Sequence, residues 1–390
     1  MLCRISEHFY LDLLLTLSEA IDVSFRDRHK QEPQLIANLA KNLPYMINSD
    51  HRRNSPHPPL PHTTCGSVFV HGSQLVAPCV GEECAFPRKK PASVEIGDLL
   101  LISTIHKNRN TTRKALLLQA KKVSHACDIF KHLENPNQYH IYSKWPPIEY
   151  IKGIEMHSKQ QIKCKRSGCK DYQSCSRDFI DLSDTDPRKA TQYLIISENN
   201  CEATCPCDDC IISRSTYPSH CCCPLPPMFL HPPCYTAELD TKTKFNNFVS
   251  FNCMLLQFIL GKTGKTFEDI NKPGNITGWD ILVNDLICTV EEKSSSFIKN
   301  AQPKGDNVNS ASRGQGVLCF LPSFGNINLN SFLDYSILTK NKIITTYTER
   351  VDGPPSVSDM SREDNDEPRG ISIIEFVTDY GEEHTKREYL

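Results

Sequence analysis

The chain has 390 residues, with 46 acidic and 44 basic side chains and a formal net charge of -2. No positive field over the whole molecule therefore attracts nucleic acid, and any such binding has to be local. The longest apolar run, residues 251–260, is too short for a bilayer, which needs about 20 apolar residues. Nineteen cysteines without a signal-peptide pattern favour reduced thiols, so we expect a cytoplasmic protein with no membrane partner.

The first 150 residues predict an α/β domain of mixed α+β type. Leucines at helical spacing indicate a helix over residues 10–21, and an apolar stripe that follows Glu32-Pro33 indicates a second helix over residues 33–45. Strands are predicted at residues 67–71, 99–102, 115–118 and 138–145, with a helix over residues 124–133. This order is typical of a domain with a small central sheet.

The rest of the chain changes character twice. Residues 151–240 form a Cys/Pro-rich insertion with one strand-like run, and residues 241–390 form a helical and strand C-terminal region. Residues 352–369 are acidic and contain proline, so we expect them to be mobile. The elements predicted here are strands at 192–197, 317–321 and 371–377 and helices at 245–260 and 279–290.

The runs at residues 99–102 and 115–118 have no polar interruption, which is typical of strands covered on both faces. Residues 106–114 between them are polar and basic, which indicates a hairpin with a solvated tip. Since side chains alternate along a strand, Gln119 and Lys121 project from one face, and Asp98 at the start of the neighbouring strand can meet them. An acid, an amide and an ammonium group so placed suit one metal ion and one phosphate.

Gly97-Asp98 and Gln119-Ala120-Lys121 resemble the motifs of the PD-(D/E)xK, or restriction-endonuclease-like, nuclease superfamily, in the Q-x-K form of Mrr-type restriction endonucleases. The resemblance covers residues 30–145. It implies a restriction-endonuclease-like core over residues 1–150 that hydrolyses DNA phosphodiesters with Mg²⁺. In that scheme Asp98 and Gln119 bind the metal, Lys121 orients water or neutralises charge, and Glu32 supplies the extra acid. Glu95 is the rival for this last role.

The whole chain also resembles a group of bacterial proteins with GD, then LLLQAK, then a later W-P. That resemblance implies no activity. We interpret the chain as a metal-dependent DNA endonuclease of bacterial defence. The alternative is a non-catalytic interaction protein that retains the nuclease-like fold, because glutamine replaces the usual second acid. A homo-oligomer or a partner protein is compatible with either interpretation.

Four cysteines in the insertion have the spacing C-x3-C-x-C-x2-C: Cys201, Cys205, Cys207 and Cys210. Thiolates two to four residues apart suit a tetrahedral, structural Zn²⁺ ion. The alternative is a surface insertion with free thiols, because the spacings do not form two clean C-x2-C pairs.

Two weaker features complete the sequence. His71 ends an apolar strand and is either a hydrogen-bonded structural residue or a member of the site. The run at residues 261–266 has the end of a phosphate-binding loop, but it follows a predicted helix and has Ile259 where the first glycine belongs. We therefore do not interpret it as a nucleotide site.

Overall fold

The computed structural model describes residues 2–48, 61–72, 74–78, 93–107, 110–124, 136–156, 180–182, 185–198, 234–240, 244–270, 275–299, 317–320 and 371–380. The helices are α1 (Leu2–Ser24), α2 (Glu32–Asn48), α3 (Pro136–Lys144), α4 (Pro187–Ala190), α5 (Phe251–Ile259) and α6 (Gly278–Lys299). The strands are β1 (His62–Val70), β2 (Leu75–Pro78), β3 (Val94–Glu95), β4 (Leu99–Lys107), β5 (Asn110–Val123), β6 (Ile148–Lys152), β7 (Thr191–Ser197), β8 (Cys234–Asp240), β9 (Lys244–Ser250), β10 (Lys265–Thr266), β11 (Val317–Phe320) and β12 (Ser372–Asp379). The chain is thus mixed α+β.

A mixed sheet of nine strands organises the fold. Its order is β11-β1-β12-β4-β5-β7-β8-β9, with β10 paired to one end of β5. β12 runs parallel to β4, β5 runs parallel to β7, and the other neighbours are antiparallel. A second sheet contains β3, β2 and β6. The large sheet takes strands from residues 62 to 379, so it runs through all three predicted segments.

The large sheet has a hydrophobic core on each face. Helices α1, α2 and α5 cover one face, where Leu39 and Phe258 share a core with Leu116 of β5. Helices α3 and α6 and the small sheet cover the other, where Trp145 and Trp279 share a core with Leu117. Successive residues of β5 enter opposite cores because side chains alternate along a strand.

Several predicted elements are confirmed. The two N-terminal helices, the β4–β5 hairpin, β7, β11 and β12 all form where the sequence indicates them. The predicted helix at 279–290 is the buried part of the longer α6. The sheet is larger than predicted because later segments add strands to both sides of the hairpin.

The strand predicted over residues 138–145 is wrong, because α3 forms there. Pro136 is the first residue of α3, a position that needs no N–H donor. Gln138, Ile141 and Tyr142 recur at helical spacing and are buried. The aromatic and β-branched side chains that favoured a strand instead pack one helical face onto the sheet.

The helix predicted over residues 245–260 is correct only in its second half. The structure has β9 up to Ser250 and then α5, which ends at Ile259. β9 pairs with β8 in an antiparallel ladder, so tertiary pairing overrides the helical pattern of its sequence.

Three predictions lie outside the described residues and stay predictions: the zinc site at Cys201 to Cys210, the mobile segment at 352–369 and nearly all of the helix at 124–133. Among the described helices, none combines the length and the apolar character that crossing a membrane requires.

A chain truncated after residue 370 should lose cooperative folding. It lacks β12, which pairs with both β1 and β4 and buries Ile373, Ile374 and Phe376 completely. A chain truncated after Tyr380 keeps the strand and is the matched control. We expect a sigmoidal thermal transition by circular dichroism from the control alone. Similar transitions from both chains would contradict the central role of β12.

Candidate functional site

The register of the β4–β5 hairpin places Asp98 opposite Gln119. Leu99 pairs with Leu118, and the Asp98 N–H donates to the Leu118 carbonyl over 2.9 Å. Gln119 Nε2 donates a short hydrogen bond to Asp98 Oδ2. The Ala120 N–H donates to the same oxygen over 2.7 Å. The structure thus brings Asp98 and Gln119 into direct contact at the start of β4.

Three further charged side chains surround Asp98. Lys121 follows on β5, and its charge acts on both Asp98 and Glu95. Glu95 ends the short strand β3. Glu32 is the first residue of α2, and its Oε2 accepts the Lys122 N–H over 3.0 Å. The structure therefore collects the predicted residues Asp98, Lys121 and Glu32, together with the rival acid Glu95, around one point of the sheet.

The electrostatics of this cluster disfavour the charged form of its central acid. Burial raises the pKa of Asp98 well above its usual value, and the carboxylates of Glu32 and Glu95 raise it further. The Lys121 charge and the Ala120 N–H lower the pKa of Asp98 without offsetting those effects. Burial also raises the pKa of Glu95, against the charge of Lys121. Three carboxylates beside one ammonium group leave uncompensated negative charge that a bound cation would relieve.

Gln138 on α3 fixes the orientation of the Gln119 amide. Gln138 Nε2 donates to the Glu95 backbone carbonyl over 3.2 Å and also to Gln119 Oε1. A carbonyl oxygen only accepts, so Gln138 has to present its nitrogen there. The Gln119 oxygen therefore accepts the hydrogen bond from Gln138, and the Gln119 nitrogen points toward Asp98. In this arrangement Gln119 is a hydrogen-bond donor to the carboxylate, and its oxygen faces α3 rather than the cleft.

A second side chain of α3 holds the same segment. Tyr142, one helical turn after Gln138, donates a short hydrogen bond to the Ile96 carbonyl. A side chain at Gly97 would force its neighbours to move, since a Cβ there would lie 2.9 Å from Leu117 Cδ1 and 3.1 Å from the Tyr142 hydroxyl. The backbone between Glu95 and Asp98 is therefore packed between α3 and β5.

Sequence reasoning missed Gln138 and Tyr142. The strand predicted over residues 138–145 would place successive side chains on opposite faces and gives these two residues no joint role. Their spacing of four residues, together with Pro136 at a helix start, is the signal that finds them.

Asp98, Glu32 and Glu95 line a cleft that opens to solvent. Phe69, His71 and Ser372 line the cleft as well. The His71 side chain reaches solvent, and its partial burial lowers the pKa of its imidazole. Gln119 is fully buried behind Asp98. The cleft thus exposes carboxylates to solvent while the amide supports them from inside.

Among the described residues, no three His, Cys, Asp or Glu side chains are already gathered as a ligand set for a metal ion. Carboxylate oxygens are nevertheless what Mg²⁺ prefers, and Mg²⁺ keeps several waters, so one or two carboxylates suffice. The chemistry of the cleft therefore fits a hydrated Mg²⁺ ion held by Asp98 and by Glu32 or Glu95.

No family model, curated protein or solved structure matches this chain.

The Asp98→Asn variant should melt at a higher temperature than the wild type at neutral pH. The folded-state pKa of Asp98 lies above its unfolded value of about 3.9, so the folded chain binds more protons between these two pKa values. The stabilisation from the neutral carboxyl group is complete below the unfolded pKa and is lost as the pH rises through the folded pKa. Asparagine keeps an oxygen acceptor and removes the charge.

Thermal melts from acidic to neutral pH check this expectation. The difference between the variant and the wild type should shrink as the pH falls below the unfolded pKa, toward about 3, where aspartate is largely protonated in both states. A wild type that melts higher than the variant at neutral pH would show that the Asp98 charge stabilises the fold.

Proposed function

We propose that the chain is a Mg²⁺-dependent DNA endonuclease with a restriction-endonuclease-like core. The observation that carries the proposal is Asp98, an acid in an open cleft whose charged form is disfavoured by burial and by two neighbouring carboxylates. Strongly perturbed acids of this kind cluster at functional sites. A divalent cation would remove the repulsion between the carboxylates and let a phosphate anion approach them.

The layout of the elements supports the same proposal. Asp98 precedes one strand of an antiparallel hairpin, and Gln119 and Lys121 lie on the other. The helix that starts at Glu32 packs on the same sheet, and helices cover both sheet faces. The acid before one strand and the Gln-x-Lys run on the next are the part of this arrangement on which the nuclease resemblance rests.

Each residue of the candidate site then has a defined role. Asp98, with Glu32 or Glu95, would hold the metal, and Gln119 and the Ala120 N–H keep the Asp98 carboxylate in place. A Mg²⁺ ion bound there would supply Lewis-acid chemistry toward the phosphate. Lys121 donates hydrogen bonds to the phosphate and offsets the negative charge that grows on its oxygens.

Hydrolysis requires no further co-reactant. A water oxygen bonds to phosphorus and loses a proton to solvent, the phosphorus–oxygen bond to the leaving sugar breaks, and the leaving oxygen takes up a proton.

One observation favours the alternative, a non-catalytic interaction protein that retains the fold. The Gln119 oxygen accepts a hydrogen bond from Gln138 and does not face Asp98, so this arrangement offers one fewer metal ligand than an acid at position 119 would. In that case the cleft would bind a partner without cleaving it.

Other parts of the proposal come from the sequence and its resemblances. They are the structural Zn²⁺ at Cys201, Cys205, Cys207 and Cys210, the cytoplasmic location, the role in bacterial defence and a partner or second copy of the chain. Metal analysis of the purified protein decides the zinc question directly.

Lys121→Ala should lower the rate of plasmid cleavage by about two to three orders of magnitude, because removing one transition-state charge partner costs about that much. The side chain is partly exposed, but its charge offsets the carboxylates of Asp98 and Glu95, so we expect a modestly lower melting temperature and a chain that stays folded in the assay. Lys114→Ala is the matched control, since Lys114 lies on the same strand but toward the hairpin tip.

The assay is nicking and linearisation of supercoiled DNA in Mg²⁺ or in EDTA. A Lys121→Ala variant that cleaves at the wild-type, Mg²⁺-dependent rate would refute the assigned role. A wild type that melts normally and cleaves neither DNA nor RNA would shift support to the interaction protein.

A further inference from the structure

The turn between α1 and α2 lies beside the candidate site and carries positive charge. It spans residues 25–31 and contains Arg26, Arg28 and Lys30 against a single acid, Asp27. The next residue is Glu32, whose carboxylate accepts the Lys122 N–H at the end of β5. The turn therefore reaches the sheet at the strand end that also carries Lys121.

A second interaction locates the same turn. Lys122 Nζ forms an ion pair of 2.7 Å with Glu198 Oε1, directly after β7. The Glu198 pKa is lowered first by the hydrogen bond and charge of Lys122 and then by the charge of His29. His29 thus lies near this ion pair, so the turn crosses the ends of β5 and β7.

The backbone of the turn is held in a fixed shape. Phe25 is fully buried, and its N–H donates to the Ile21 carbonyl over 2.9 Å. The Lys30 N–H closes a tight turn onto the Asp27 carbonyl over 3.2 Å. The Gln31 N–H donates to Gln34 Oε1, as in a capping box at the start of α2. A ligand that binds here meets an ordered backbone, which lowers the entropic cost of binding.

Two cations of the turn are available to an external anion. Arg26 is exposed and Lys30 is half-buried, and within the described residues neither forms an ion pair. Burial raises the pKa of Asp22 on α1, whereas the charges of Arg28 and Arg26 lower it, so this acid lies near both cations. Within the described residues, Arg26 and Lys30 therefore hold no direct carboxylate contact, although Asp22 and Asp27 reduce the net positive charge around them.

We propose that this turn is a phosphate-binding rim, in which Arg26 and Lys30 each contact a backbone phosphate of the nucleic acid beside the scissile bond. This inference rests on the proposed function for the position of the bound strand. The acidic cleft by itself repels a polyanion, and the chain has a net charge of -2, so a local group of cations has to supply the attraction. Contacts of this kind position the backbone without reading sequence.

The test measures binding in EDTA, where no metal supports cleavage. The anisotropy of a short fluorescein-labelled DNA duplex gives the affinity of the wild type, Arg26→Gln/Lys30→Gln and the control Lys189→Gln/Lys262→Gln over a range of salt concentrations. The control removes two exposed cations away from the turn, since Lys189 acts on Lys114 toward the hairpin tip.

We expect the rim variant to bind about tenfold more weakly and to reduce the slope of log affinity against log salt by about 2, because each phosphate contact contributes about 0.9. The control should match the wild type, and all three proteins should melt alike. Equal losses from the rim variant and the control, an unchanged slope in the rim variant or no binding by the wild type would each overturn the rim. If the rim variant alone loses binding and the wild type does not cleave DNA in Mg²⁺, the rim stands and the proposed nuclease activity fails.

Discussion

The antiparallel register of β4 and β5 fixes where the candidate site forms. Leu99 pairs with Leu118, so the residue before β4 faces the residue after Leu118, and these are Asp98 and Gln119. A slip of one residue would turn Gln119 to the opposite face of the sheet. It would also move the alternating leucines of both strands into the wrong cores, which makes the slip expensive. Hydrophobic burial on two faces thus sets the position of a polar contact.

The same contact gathers charges that repel one another. Asp98 lies in a partly buried place beside Glu32 and Glu95, and the surrounding fold has to hold it there against that repulsion. Helix α3 does so through Gln138 and Tyr142, which donate to the adjacent backbone carbonyls of Glu95 and Ile96, where β3 passes into the short connection to β4. Functional sites commonly combine such local cost with support from well-packed neighbours.

The hairpin and its polar end could be predicted from the sequence because both depend on local patterns. Uninterrupted apolar runs indicate buried strands, and a period of two assigns Gln119 and Lys121 to one face. Glu32 came from the nuclease resemblance, and the structure places its carboxylate on the backbone of the residue after Lys121.

The rest depends on contacts between distant parts of the chain. β12 lies between β1 and β4 in the sheet, although it follows β4 by about 270 residues in the sequence. A short apolar run indicates a strand but does not indicate which strands it pairs with. The role of Gln138 could not be predicted because Tyr139, Ile141 and Tyr142 favour a strand by propensity alone. Burial of one helical face against the sheet instead selects a helix. The orientation of the Gln119 amide follows from that helix and from no local pattern.

The central claim is that the cleft binds a divalent cation through Asp98. Titration with Mn²⁺, followed by the loss of the free-ion electron paramagnetic resonance signal, measures this directly without any nucleic acid. We predict saturable binding by the wild type and by Lys114→Ala, and binding weaker by about tenfold or more in Asp98→Asn, which keeps its hydrogen-bond acceptor but loses its charge. Equal binding by Asp98→Asn and the wild type, or no binding by a folded wild type, would contradict the claim.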